Sequence, residues 1–458
     1  MSENKSNEFL GREPVGRLLF KLALPTITAQ IINLLYNVVD RIYIGNMKDV
    51  GELALTGVGV CMPLIMVISA FAALISASGA PRASIFMGRG DRESAERTMG
   101  ACFLLQCIAS VVLTLIALLF HRPLLLAFGA SENTIEYAAG YMQIYSIGTI
   151  FVQLTLGMNA FITAQGFSRM SMLTVAIGAV VNIVLDPIFI FALGMGVRGA
   201  ALATVISQAV SCAWVILFLC GKGSILRLRP ETLRLDMRLL GPCLALGVAP
   251  FIMQSSESII SVCFNSSLLA YGGDIAVGAM TVLTSVMQFA MLPLQGLAQG
   301  SQPIVSYNYG AGNKERVRSA FKILLISSLV YSLTLWALII IFPTAFASLF
   351  TSNEAYVDFT ADALPVYCGV LGIFGIQIAC QMTFVALGKA VSSMVVAIMR
   401  KFVLLLPLIY VVPSFFGEEM KTFGVYLAEP IADIIAVSFT AVLFAVQFKR
   451  ALREMDGK

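Results

Sequence analysis

Twelve long apolar stretches constrain this chain more than any other feature of its sequence. Each is about 20 residues or longer, enough to cross roughly 30 Å of hydrocarbon as an α-helix. Only 12% of the 458 residues are charged, whereas soluble domains carry about a quarter. We therefore predict an all-α membrane protein with twelve transmembrane helices. The predicted spans are residues 16–44, 52–78, 97–120, 134–164, 170–193, 199–220, 238–270, 274–300, 318–342, 356–386, 391–413 and 423–447.

Lysine and arginine lie mainly in the segments on one side of these spans. They cluster near the N-terminus and in residues 82–97, 222–238, 314–322 and 449–458, whereas the opposite segments hold few. Positively charged loops favour the cytoplasmic side of a membrane. We therefore predict a multi-pass protein with both termini in the cytoplasm.

The second half of the chain repeats the first. Residues 80–93 align with residues 302–315 at a constant offset of 222, and the same offset pairs Tyr145 with Tyr367. Because each repeat holds an even number of spans, both have the same orientation. The predicted architecture is two six-helix pseudo-symmetric lobes. The predicted boundaries are an N-terminal six-helix lobe at 1–220, a cytoplasmic linker at 221–237 and a C-terminal six-helix lobe at 238–458.

Several classes of function are disfavoured by the sequence. It contains no G-x-x-x-x-G-K-[ST] phosphate loop, a single histidine, and nine cysteines without C-x-x-C spacing. No water-soluble domain remains outside the spans. We therefore predict no enzymatic activity, no cofactor and no nucleic-acid partner, and we expect any uphill transport to use an ion gradient.

Acidic side chains inside the spans of the first half indicate a site. An ionised carboxylate at the centre of a bilayer helix costs about 2.5–3.5 kcal/mol, so such residues are usually functional. Asp40, Asp186 and Thr204 lie about 8, 12 and 9 Å below the outer surface. Tyr36 and Asn182 each precede an aspartate by four residues and share its helix face. These five residues are the predicted cation-binding and coupling site, for H⁺ or Na⁺.

If the coupling ion is Na⁺, its predicted ligands are Asp40, Asn182, Asp186 and Thr204. The alternative interpretation is an interfacial polar cluster, in which Asp40 pairs with Arg41 and Asp186 helps to end a helix before a proline. Pro25 should bend the first span, because proline removes a helical hydrogen bond. We predict it to be a hinge.

The second half carries its intramembrane charges elsewhere. Arg400 and Lys401 lie about 15 Å into the eleventh span, and Glu257, Glu429 and Asp433 fall within the seventh and twelfth spans. We predict that these acids and bases pair, because an unpaired charge at that depth is expelled or neutralised. The network is either structural or functional. The functional version is a gate or substrate wall made of Glu257, Arg400, Glu429 and Asp433.

Several motifs together resemble the multidrug and toxic compound extrusion (MATE) family, nearest to its bacterial multidrug efflux branch. The motifs are Leu24-Pro25, Tyr36-Asn37-Val-Val-Asp40, Gln165-Gly166, Asn182-Ile-Val-Leu-Asp186-Pro187, Gly199-Ala-Ala-Leu-Ala-Thr204 and Gln299-Gly-Ser-Gln-Pro303 with Tyr307-Asn308-Tyr-Gly310.

The resemblance implies two lobes around a central cavity and export of small organic cations in exchange for H⁺ or Na⁺ by alternating access. It implies a monomer in the cytoplasmic membrane of a bacterium. It maps the family's cation residues onto the same five first-half positions. The tenth span offers Gln377 and Gln381 but no mid-span acid, so the second-half ion site of some members is not expected in that form.

Three alternatives remain. A flippase for lipid-linked sugars shares the two-lobed fold, but it should have a basic cavity, whereas this chain has five acids against two bases in its spans. A major-facilitator transporter would carry a G-x-x-x-D-R-x-G-R-R signature, which is absent from residues 88–97. A channel or structural membrane protein would show transport without counter-ion dependence, or none.

Overall fold

A computed structural model of the chain describes residues 8–48, 50–349 and 354–455. Over these ranges it is built of helices and holds no strand. Two π-helical segments, Ile188–Ala192 and Met399–Leu405, follow α7 and α14 directly. The α-helices are α1 (Glu8–Arg12), α2 (Val15–Gly45), α3 (Gly51–Gly88), α4 (Arg92–Ala127), α5 (Ile135–Ile147), α6 (Thr149–Ala164), α7 (Ser168–Pro187), α8 (Val197–Cys220), α9 (Met237–Gly310), α10 (Lys314–Ile341), α11 (Pro343–Ser348), α12 (Glu354–Tyr367), α13 (Leu371–Ala386), α14 (Ala390–Ile398), α15 (Leu406–Val411) and α16 (Lys421–Glu454).

The prediction of twelve transmembrane helices is confirmed. Within the described ranges, ten helical stretches are long and apolar enough to cross a membrane alone, and two bent helix pairs bring the number to twelve. A left-handed Gly273, with φ of 63°, divides α9 into the seventh and eighth spans. Several helices extend beyond their predicted ends: α3 continues to Gly88, ten residues past the predicted boundary at 78.

The fourth and tenth predicted spans, 134–164 and 356–386, are each formed by a pair of helices joined at a bend. The fourth bends by 57° between α5 and α6, and the tenth bends by 50° between α12 and α13. At the first break, a Cβ on Gly148 would lie 2.4 Å from the side chain of Val205, so the close approach of α8 requires glycine. At the second, the indole of Trp336 donates a 3.0 Å hydrogen bond to the freed carbonyl of Gly369.

The backbone conformation repeats at the offset found in the sequence. Gly90 and Gly312 have φ of 78° and 75°, and Gly166 and Gly388 have φ of 87° and 70°. These left-handed positions end helices at matching places in the two halves, where glycine adopts positive φ without steric cost. The lobe boundaries at residues 220 and 238 stay a prediction.

The first span, α2, belongs to the first half but packs against the second half. Leu19 and Leu22 of α2 are buried in one apolar cluster with Ile304 of α9 and Leu324 of α10. Just after Pro25, Thr26 Oγ1 donates a 2.6 Å hydrogen bond to the Gly296 carbonyl of α9. The early part of α2 is therefore docked on the second half.

The two halves also meet at the end of the bundle that carries α1 and the end of α16, here called the terminal end. A Cβ on Gly88 of α3 would lie 2.0 Å from the carbonyl oxygen of Tyr307, and a Cβ on Gly310 of α9 would lie 2.0 Å from that of Ile85. The two contacts are reciprocal, because 85 and 88 correspond to 307 and 310 at the repeat offset. The halves are thus in backbone contact at this end.

Gly310→Ala is expected to loosen the terminal end, because a methyl group cannot share space with a backbone carbonyl. The cost of such overpacking is about 1–3 kcal/mol. We expect a lower thermal unfolding temperature and faster maleimide labelling of the buried thiols Cys102 and Cys243. Gly59→Ala is the control. Gly59 lies in α3, and no atom lies within 4 Å of a Cβ built on it. Labelling at the unchanged rate in Gly310→Ala would contradict the prediction.

Candidate functional site

The first-half site lies on the last two turns of α7. Asn182 and Asp186 are one turn apart on one face, and both are almost fully buried. Asn182 Nδ2 lies 3.3 Å from Asp186 Oδ1 and 3.5 Å from Thr204 Oγ1 of α8. Helix α7 ends at Pro187 and continues as a π-helical turn, a feature frequent at functional sites. The amide of Asn182 thus connects the two spans.

The first span completes the group. Asp40 of α2 lies close enough to Asp186 for their carboxyl groups to interact electrostatically, so one site receives acids from two separate helices. Tyr36, one turn earlier on α2, lies in the electrostatic field of both carboxylates. The structure therefore brings together all five residues that depth and spacing predicted. Their roles in coupling stay a prediction.

Three oxygen atoms of this site are left without hydrogen-bond partners. Asp40 Oδ1, Asn182 Oδ1 and Asp186 Oδ2 are buried, and none has a partner among the described residues. A buried acceptor without a donor costs about 1–3 kcal/mol, and two carboxylates in one space repel each other. Binding of a proton or a small cation would satisfy the oxygens and relieve the repulsion.

The sequence analysis missed two tyrosines of the same pocket. Tyr141 and Tyr145 of α5 are buried and stack with ring centroids 6.0 Å apart. Tyr141 lies beside Thr204 and close enough to Asp40 to interact with its charge. The repeat pairing of Tyr145 with Tyr367 was a signal for one of them, because Tyr367 lies beside the second-half acids.

The donor set suits a hard cation better than a transition metal. Carboxylate, amide and hydroxyl oxygens are the ligands that hard cations prefer. Within the described ranges, no cluster of three or more histidine, cysteine or acidic side chains could hold a metal ion. The two acids, Asn182 and Thr204 are compatible with Na⁺, and the two acids alone with H⁺.

In the second half, Arg400 is held by two acids of α16. Its Nε donates to Asp433 Oδ1 at 2.7 Å and its Nη2 donates to Glu429 Oε1 at 2.9 Å. All three side chains are at most 10% exposed. The guanidinium also stacks on Phe374 of α13, 4.7 Å from the ring centroid. The expected pairing is confirmed, and it leaves Arg400 fully engaged.

Lys401 turns inward beside Arg400 although the two are consecutive in the chain. Both lie in the π-helical segment Met399–Leu405, and each reaches an acid on a different helix. Lys401 Nζ donates to Glu257 Oε1 of α9 at 2.6 Å. The lysine side chain is 5% exposed, whereas the glutamate side chain is 53% exposed. This second ion pair is therefore open on its acidic side.

Pro25 does not interrupt α2, which is helical from Val15 to Gly45. Leu22 before it and Thr26 just after it both pack on the second half, whereas Asp40, further along the same helix, lies near Asp186 of the first half. The hinge role stays a prediction.

Comparisons with known proteins agree on one family. The MatE family model matches residues 25–188 and again residues 248–411. The multidrug export protein MepA of Staphylococcus haemolyticus is 23% identical over 92% of each chain. A crystal structure of MATE in the bent conformation has a TM-score of 0.92 at 23% identity, covering 99% of each chain. An outward-facing multidrug resistance MATE family transporter has a TM-score of 0.90 at 24% identity, covering 98% of this chain and 99% of that one.

Proposed function

Since this chain belongs to the MATE family, whose members are membrane transporters and not enzymes, we propose that it exports drugs or other toxic organic compounds, mostly cations, in exchange for H⁺ or Na⁺. Its substrates are small molecules, and it works as a monomer in the cytoplasmic membrane of a bacterium, with both termini in the cytoplasm. The export proteins to which it is similar support the direction of transport.

One observation carries the proposed coupling. The carboxylates of Asp40 and Asp186 share a buried space in which three oxygens lack partners. Ion binding there is favourable in one protein conformation and less so in another only if the site changes shape between them. Helix α2 provides such a change, because its part from Leu19 to Gln30 is docked on the second half and its later part carries Asp40 to the first-half site.

We propose the following cycle. An ion that enters from outside binds between Asp40 and Asp186 and neutralises one of the two carboxylates, and α2 bends at Pro25. The bend shifts the part of α2 that packs on α9, so the cavity changes shape and releases the substrate outward. Exchange of one H⁺ for one monovalent cation moves no net charge, so it draws on the chemical gradient alone.

The charges of the second half support cationic substrates. Both intramembrane bases, Arg400 and Lys401, are paired with acids. No basic wall for a pyrophosphate is left among the described intramembrane residues, which disfavours the lipid-linked sugar flippase. Glu257 is the acid with an exposed side chain in this network, and we assign it to the wall that faces the substrate, with Arg400, Glu429 and Asp433 behind it.

Dye efflux from proteoliposomes under separately imposed gradients tests the proposal. A cationic dye should leave the vesicles faster under an inward H⁺ gradient or an inward Na⁺ gradient than without one, and one of the two ions should suffice. Vesicles without protein are the control. Equal efflux with and without either gradient would contradict antiport and support a channel.

A further inference from the structure

A cavity of about 380 Å³ lies between α2 and α7, outside the two charged sites described above. Two bases, Lys21 and Arg169, line it together with apolar side chains from both helices, among them Leu24 and Leu173. None of the described residues that line it is acidic. The cavity therefore has the opposite charge to the first-half site, and it suits an anion that carries an apolar part.

The α2 wall of this cavity faces away from the second half. Phe20, Leu24 and Thr28 are spaced four residues apart, so they form one stripe of the helix. Residues two apart on a helix point to nearly opposite sides, and Leu24 lies two residues from both Leu22 and Thr26, which pack on the second half. Leu24 is 67% exposed. The cavity therefore opens toward the lipid of the bilayer and not toward the interface between the halves.

Phe9 of α1 links the two bases of the cavity. Lys21 Nζ lies 5.7 Å from the centroid of the Phe9 ring, and a Cβ on Gly166 would lie 2.4 Å from the same ring. Arg169 follows three residues later, at the second position of α7, and is exposed. The two bases thus lie at the terminal end of the cavity, where the phosphate of a lipid is located when its acyl chains run along the helices.

Both bases have hydrogen-bond donors to spare. Lys21 Nζ donates to Glu13 Oε1 at 2.9 Å and to Glu13 Oε2 at 3.1 Å, and an ammonium group has a third donor. Arg169 has no acidic partner among the described residues, so its guanidinium donors are free of ion pairs. Lys21 and Arg169 against Glu13 leave a net charge of +1. This charge matches the single negative charge of a phosphodiester.

We propose that this cavity binds an anionic phospholipid, with the phosphodiester at Lys21 and Arg169 and an acyl chain against Leu24 and Leu173. The lipid contacts α2 and α7 together, and these are two of the helices that form the first-half site. Its binding therefore stabilises the arrangement of α2 and α7 seen in this structure. The assignment goes beyond the proposed export and does not depend on it, nor on which end of the bundle faces the cytoplasm.

Selectivity for an anionic lipid follows from the two bases. An acyl chain packs on the apolar wall whatever its headgroup, so this contact gives affinity but no selectivity. Basic pockets between transmembrane helices attract anionic headgroups. A zwitterionic phosphatidylcholine carries a trimethylammonium group of its own, which both bases repel. We therefore expect phosphatidylglycerol to bind more tightly than phosphatidylcholine with the same acyl chains.

The test is lipid binding to the purified full-length protein in detergent, measured by native mass spectrometry over a range of lipid concentrations. Dioleoyl phosphatidylglycerol should bind about fivefold more tightly than dioleoyl phosphatidylcholine, the effect of roughly one base near a membrane surface. It should also raise the thermal unfolding temperature more. Inorganic phosphate at millimolar concentration should not displace it, because phosphate lacks the acyl chain. Displacement by phosphate would assign the bases to a free anion and overturn the lipid site.

Charge variants separate this cavity from general attraction between a basic surface and anionic lipid. Lys21→Gln combined with Arg169→Gln should lower the affinity for phosphatidylglycerol about fivefold and leave that for phosphatidylcholine unchanged. The matched control is Arg97→Gln combined with Lys449→Gln, which removes the same charge from the same end of the bundle. Arg97 pairs with Glu93 and Lys449 is exposed, so one base is paired with an acid in each double variant. Both lipids should bind the control as they bind wild type.

A steric variant tests the apolar part of the site. Thr28→Trp places an indole in the cavity and changes no charge, so both lipids should bind about threefold more weakly. The unfolding temperature measured without added lipid checks that this variant keeps its fold. Wild-type binding of both lipids to the folded variant would contradict the placement of the acyl chain and overturn the site.

Equal affinity of the wild type for the two lipids would also overturn the proposal, as would an equal loss of phosphatidylglycerol binding in the control. If the double variant at the cavity does not fold, Arg169→Gln alone decides, because Arg169 has no acidic partner to lose. It should weaken phosphatidylglycerol binding about threefold, and unchanged binding would overturn the site. All measurements are made without substrate or ion gradient, so their outcome is independent of the export proposal.

Discussion

Asp186→Asn is expected to abolish ion-driven export while the protein stays folded in the membrane. Asparagine has nearly the shape of a protonated aspartate, so it mimics the neutralised site and removes the charge to which the ion binds. Repulsion from Asp40 also disappears, so the unfolding temperature should be unchanged or higher. Dye efflux under an imposed H⁺ or Na⁺ gradient should fall to the level of vesicles without protein.

The matched control is Asp358→Asn, the same exchange on the exposed surface of α12, which should export dye normally. Dye binding to Asp186→Asn in the absence of a gradient should persist, because the substituted residue is fully buried in the first-half site. Wild-type resistance and wild-type efflux in Asp186→Asn would sink the coupling role of this carboxylate.

Arg400→Met is expected to destabilise the second half strongly. It leaves Glu429 and Asp433 buried together without their common partner, and breaking a buried ion pair in this way costs about 3–5 kcal/mol. Phe374 also loses its stacking contact with the guanidinium of Arg400. We expect low yield in the membrane and a markedly lower unfolding temperature in detergent.

A variant in which all three charges are neutralised should recover the stability that Arg400→Met loses. Arg400→Met combined with Glu429→Gln and Asp433→Asn removes all three buried charges, and replacing a whole buried network is often neutral. Arg122→Met serves as the control, since Arg122 pairs with Glu136 on the exposed surface, where such pairs contribute about 0–1 kcal/mol. An unfolding temperature of Arg400→Met equal to that of the control would show that the network does not stabilise the fold.

The first-half site shows which residues can be grouped from the sequence without a structure. Asp40, Asp186 and Thr204 were grouped by depth, which follows from the constant rise of a helix. Asn182 was added by its four-residue spacing. The structure joins Asp186 and Thr204 through the 3.3 Å and 3.5 Å contacts of Asn182. Depth succeeded here because a bilayer gives every span a common reference level.

The same reasoning did not reach Tyr141, although it lies in the same pocket. Its helix α5 is redirected by the 57° break at Gly148, where the side chain of Val205 from another span approaches too closely for a Cβ. Hydropathy cannot reveal such a contact, since both parts of the broken span are apolar. The rotation of α5 toward Thr204 is therefore a result of packing.

In the second half, the sequence predicted that charges pair, but the structure decided which ones. Its acids and bases had to pair because unpaired charge is costly in a membrane, but their sequence positions left the partners open. In the π-helical segment after α14, Arg400 reaches α16 and Lys401 reaches Glu257 of α9. The exposure of Glu257 also follows from how α9 packs, not from its neighbours in the chain.

The sequence by itself determined the twelve spans and the twofold repeat, and it predicted the depth of each intramembrane charge. These properties follow from local composition and from the fixed rise of a helix in a layer of fixed thickness. Only the tertiary structure decided which charges are partners, which oxygens are left unsatisfied at Asp40 and Asp186, and which acid side chain is exposed. Those outcomes depend on helix rotations and breaks, which are set by contacts between residues far apart in the chain.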